Sequence, residues 1–156
     1  MSDPLVFDPN DLAESNATAM PGPYAERGRT RWYRRLGPPA GLTNFGVNLV
    51  RIAPGGQSSY RHAHSTQDEF VMVLEGTPTL RTDAGETELR PGLCVGFPKG
   101  TGDAHHFVNR TATDVRLLVV GDRAEGDVVS YPDDDLHGTP GPDGRYVFTH
   151  KDGTPW

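Results

Sequence analysis

The sequence predicts an all-β domain of the antiparallel barrel or sandwich type, on three observations. Short runs rich in β-branched and aromatic residues recur from Phe45 onward, turn signals interrupt them at regular spacing, and no convincing helical stripe lies between them. Phe45-Gly-Val-Asn-Leu-Val-Arg-Ile alternates and stops at Ala53-Pro-Gly-Gly, a turn signal. Phe70-Val-Met-Val-Leu ends at Glu75-Gly76. Thr79-Leu-Arg-Thr turns at Asp83-Ala-Gly, and Glu86-Thr-Glu-Leu-Arg returns to Pro91-Gly92. Leu93-Cys-Val-Gly-Phe, His105 to Asn109 and Val115 to Val120 complete this block.

The flanks read differently. Residues 1–44 hold six prolines and no sustained periodicity, as expected of an N-terminal arm, with the one weakly helical stretch around Asp11 to Ala19. Residues 45–121 form the barrel. Residues 122–156 read as a strand extension of the same domain, too short to bury a core of their own.

Composition narrows the partners. The 156 residues carry a net charge of −6, which disfavours nucleic acid and anionic membrane as partners. The run from Arg27 to Arg35 opposes this trend, with five arginines around Trp32 and Tyr33; such a run can hold single-stranded nucleic acid, but nothing else supports that reading. A solvated edge strand blunted by cations is the plainer expectation. With a mean hydropathy of −0.56 no membrane span is expected. One cysteine, Cys94, and a start without a basic, apolar leader lead us to expect a cytoplasmic protein.

The chemistry concentrates between Gly56 and Gly76. His62 and His64 stand two apart, so on a strand they project together with Cα atoms ~7 Å apart. Glu69 follows a short polar turn, where the next strand can return its carboxylate to the same point. Two histidines and one carboxylate suit non-haem Fe(II), with Mn, Ni, Co and Zn also compatible. An HxH pair alone would more simply be two ordinary hydrogen-bonded histidines; the flanking glycines and Glu69 favour a site.

Gly56-x5-His62-x-His64-x4-Glu69-x6-Gly76 resembles the first motif of the cupin family at every position. Gly92-x5-Pro98-x-Gly100 resembles the start of the second motif, which ends at His105-x3-Asn109. Four residues separate Gly100 from His105 where the family has two, which makes His106 a rival; the Asn109 spacing favours His105. The resemblance covers residues 45–120 and implies a double-stranded β-helix, or jelly-roll barrel. It also implies one divalent metal ion (Fe, Mn, Ni or Zn) held by His62, His64, Glu69 and His105, a small-molecule ligand or substrate, and a homodimer. The function it implies is metal-dependent dioxygenase, isomerase or lyase chemistry, or else non-catalytic binding or sensing of a small ligand. No general base is evident.

Around this set, Tyr60, Met72 and Phe107 are the expected substrate-pocket residues, with Phe45 and Val47 also expected to line the barrel. Arg61 should face outward and Cys94 should be buried as a small hydrophobe. Asn109 either orients a ligand histidine or bonds backbone. Asp133 to Asp135 read as a solvated turn, and His137 and His150 have no assignment.

Overall fold

The computed structural model describes residues 6–156. One α-helix, α1 (Gly22–Gly28), precedes twelve strands: β1 (Arg31–Arg35), β2 (Phe45–Ile52), β3 (Ala63–His64), β4 (Glu69–Glu75), β5 (Thr79–Thr82), β6 (Gly85–Glu88), β7 (Cys94–Phe97), β8 (His106–Val108), β9 (Val115–Asp122), β10 (Val129–Tyr131), β11 (Leu136–Pro140) and β12 (Tyr146–Thr149). They pair into sheets of order β1-β2-β9-β4-β7, β12-β11-β10-β3 and β6-β5-β8. Every one of these strand pairs is antiparallel, giving the all-β barrel that the alternation and turn spacing predict.

Alternation decides what lies inside. Ile52 pairs with Val115, and Val50 with Leu117, which pairs in turn with Val73 of β4. Side chains in register share a sheet face, so these residues form stacked aliphatic layers with Val71, Leu80, Leu89 and Phe107. The glycines bounding the first motif have steric reasons to be glycine. A Cβ on Gly56 would lie 2.8 Å from the Thr30 carbonyl oxygen, and Gly76 combines φ +78° with the Asp114 carbonyl oxygen 2.7 Å from where its Cβ would stand.

Several expectations are corrected. Asp11 to Ala19 is not helical: a single 3-10 turn spans Pro9–Asp11, and Ser15 then pairs with Tyr33, holding the segment extended along β1. The helix begins later, where Pro23 stands near its N-terminus and loses no needed donor. Met72 and Phe45 are not barrel-lining. Val71 and Val73 take the inner positions of β4, so Met72 faces out opposite Cys94, and Phe45 is exposed. Cys94 is exposed for the same reason: β7 is an edge strand whose Val95 and Phe97 pack inward. Arg61 is 11% exposed at its side chain. It binds Asp133 (2.8 Å), Asp83 and the Ala104 carbonyl, so the acidic turn at Asp133 is an ion-pair partner as well as a solvated one. Asn109 is fully buried and bonds the Ile52 and Thr113 carbonyls, the backbone alternative. His150 has a partner after all, Asp135 at 2.7 Å, and stacks on Trp156.

Candidate metal centre

Backbone pairing assembles the centre. His62 and His105 face one another in an isolated bridge, His62 N donating to His105 O (3.1 Å) and His105 N to His62 O (2.8 Å), with ring centroids 4.8 Å apart. Glu69 opens β4 opposite Phe97 of β7, and Phe97 stacks on the His105 ring at 3.4 Å. The carboxylate of Glu69 thereby meets His105 Nε2 at 3.2 Å. Donor atoms of His62, Glu69 and His105 all lie within 4.8 Å of one another, close enough to converge on one ion.

The protonation states suit that use. Burial, reinforced by the charge of His105, pushes His62 down to about 3, so the ring is neutral at ordinary pH. Its Nδ1 hydrogen is donated to the Tyr60 carbonyl at 2.9 Å, which leaves Nε2 as a bare lone pair. Burial works to raise Glu69, but the His105 hydrogen bond and the neighbouring histidines outweigh it and keep the carboxyl ionised.

His64 stands beside this trio. Its ring centroid is 4.9 Å from that of His62, and its Nδ1 is 2.6 Å from Asp127 Oδ2. Asp127 is almost wholly buried and also accepts from Tyr146 Oη (2.6 Å) and Thr66 N (2.9 Å). A carboxylate behind a histidine fixes the tautomer and leaves Nε2 available, as is common behind metal-bound histidines. The donor set, two bare imidazole nitrogens and one ionised carboxylate beside His105, fits a divalent ion.

Among the other expected pocket residues, Phe107 lies in the aliphatic core, edge-on to Phe97. Tyr60 is buried away from the trio: it packs edge-on against Tyr24 and donates its hydroxyl to the Tyr24 carbonyl. β3 begins only at Ala63, so strand alternation does not extend back to Tyr60. Tyr131 holds the place against His62 instead, with ring centroids 6.0 Å apart. Sequence reasoning missed Asp127 and Tyr131; the two stand four residues apart, Asp127 just before β10 and Tyr131 at its end. His106 projects to the other side of its strand, bonds the Ser59 carbonyl, and lines a cavity of about 240 Å³ with Arg27, Arg81, Glu86 and Arg110.

The Cupin domain family matches residues 48–121. A crystal structure from Silicibacter pomeroyi, described as a sugar phosphate isomerase from a cupin superfamily, is 42% identical, covers 97% of this chain and 96% of its own, and superposes with a TM-score of 0.92. The chain belongs to the cupin superfamily. A candidate sugar phosphate isomerase from Acidithiobacillus ferrooxidans is 31% identical, with 81% and 80% of the two chains covered and a TM-score of 0.72. A polyketide cyclase from Streptomyces resistomycificus is 26% identical over 75% and 78%, with a TM-score of 0.62. No protein of curated function matches this cupin. No helix among the described residues is long and apolar enough to cross a membrane.

Proposed function

We propose that this cupin is a metal-dependent isomerase of a phosphorylated sugar, with His62, His64, Glu69 and His105 holding one divalent ion. The observation that carries the reading is the convergence of His62, Glu69 and His105 inside the barrel of a chain 42% identical to a protein described as a sugar phosphate isomerase. An ion held there, whether Fe, Mn, Ni or Zn, supplies Lewis acidity to a sugar oxygen.

The chain's own side chains do the rest. Glu69 brings the one negative charge, and neutral His62 brings a lone pair at Nε2. Asp127 fixes His64 through Nδ1, so the ring does not reorient when a ligand enters. Burial pushes the Tyr131 phenol well above its ordinary range, so Oη keeps its proton and donates to a substrate oxygen beside His62. Phe97, stacked on His105, keeps water off one face of that ring.

Metal-loaded protein incubated with pentose and hexose phosphates, followed by NMR, should interconvert aldose and ketose for at least one of them. Chelation should stop the reaction and the ion should restore it. Saturable binding across the panel without turnover would replace this reading with the non-catalytic, ligand-sensing one.

A further inference from the structure

The arginine run at 27–35 finds a use in β1. Side chains on this edge strand alternate. Trp32 and Arg34 face outward, where Arg34 meets Glu14 at 3.5 Å, and neighbouring Arg51 binds Glu14 (2.7 Å) and lies over Trp32. Arg31, Tyr33 and Arg35 take the opposite face, in register with Ile52, Val50 and Asn48 of β2, and Tyr33 packs on the aliphatic core. Both guanidinium groups lie over the Tyr33 ring, at 5.3 and 5.5 Å from its centroid. Unlike Arg34 and Arg51, neither has a carboxylate within 4 Å among the described residues.

Arg31 is the more enclosed of the two. Its guanidinium lies over Tyr33, and the charged or ionisable groups near enough to act on it are Arg35 from its own strand, Tyr131 from β10 and Glu69 from β4. Burial draws its pKa down and the like charge of Arg35 adds to that, so its charge is only partly compensated. Tyr131 links it to the centre, because its ring also faces His62.

We propose that Arg31, assisted by Arg35, is an anion-binding subsite of the barrel, holding the phosphate of a ligand whose other end lies at the metal centre. The proposal rests on the reading given under Proposed function and names the residues that would select its substrate class. The charges agree: a divalent ion with Glu69 leaves one positive charge, Arg31 adds a second, and a phosphate monoester carries about −1.5 to −2 at neutral pH. A planar guanidinium also suits two phosphate oxygens at once.

The test is calorimetric titration of inorganic phosphate into Mn²⁺-loaded protein and, separately, into metal-free protein. Arg31→Met should weaken phosphate binding at least tenfold while the bound Mn²⁺ and the melting temperature stay as in the parent. Arg31→Lys should recover part of the loss, since charge alone is retained. Equal phosphate affinity in the parent and Arg31→Met overturns the proposal, as does the absence of saturable binding in the parent. Loss of binding in Arg81→Gln/Arg110→Gln with Arg31 intact also overturns it, by moving the anion to the outer cavity beside His106. Arg31-dependent binding in the metal-free protein supports the subsite even where the isomerase assay fails, so the two readings fail separately.

Discussion

In the five-stranded sheet, Val50, Ile52, Val71, Val73, Val115 and Leu117 interlock in layers that carry no polar atom beyond the backbone. Across the barrel, the wall built on β3 and β10 places His62, His64, Asp127 and Tyr131 side by side, and its polar atoms are held by specific partners. The first wall gains stability from apolar surface removed from water and best tolerates apolar residues of the same volume. The second holds charge in a dry place, which is unfavourable unless each group is partnered. Most of the stability and most of the chemistry are therefore assigned to different walls, Glu69 at the start of β4 being the member of the trio that the five-stranded sheet contributes, and mutations should separate them.

The largest effect on folding belongs to the aliphatic wall. Leu117→Ala removes a side chain with no exposed surface and should cost about 2–5 kcal/mol in denaturant unfolding, with metal binding per folded chain unchanged. A parallel loss of metal affinity would show that the walls are coupled. Asp127→Asn acts on the other wall. It keeps the volume but weakens the bonds from His64 and Tyr146, and should cost about 1–3 kcal/mol together with a 10–100-fold loss of metal affinity in competition with a chelator.

Arg61 and Asp133 give a smaller effect at the rim. The Arg61 guanidinium holds Asp133 below its ordinary value of 3.8. A lowered carboxylate stabilises the fold above its unfolded value, and that contribution fades as the pH falls through the folded value. Asp133→Asn should thus flatten the acid limb of a stability-against-pH curve below about pH 4 while costing about 1 kcal/mol at neutral pH, since the carboxylate is partly exposed. Cys94→Ser, on the outer face of β7, should change stability by less than about 0.5 kcal/mol; a larger loss would place that face in an interface.

Legibility in the sequence divides along the same line. The aliphatic wall announces itself by alternation in Phe45 to Ile52 and Val115 to Val120, because the inward residues Val50, Ile52, Val115, Leu117 and Val119 are apolar and local. The trio His62, Glu69 and His105 was legible because two short motifs carry it, and the extra loop residues before His105 did not move it out of the group. The places of Asp127 and Tyr131 were not legible, since each meets a histidine far along the chain, as Asp127 meets His64 across 63 positions. Met72 and Cys94 were misplaced for a geometric reason: neighbouring strands share one in-and-out phase, and apolar character alone does not say which phase a residue occupies. Alternation alone points Arg61 outward, because its partners, Asp83 and Asp133, lie 22 and 72 positions away.

The central claim is that His62, His64, Glu69 and His105 hold one metal ion, and elemental analysis of protein purified without chelator or histidine tag tests it most directly. The account predicts about one divalent ion per chain, falling to near zero in His62→Ala/His105→Ala while far-ultraviolet circular dichroism still reports the barrel. Full metal occupancy in that variant, or none in the parent after anaerobic reconstitution with Fe, Mn, Ni and Zn, would contradict it.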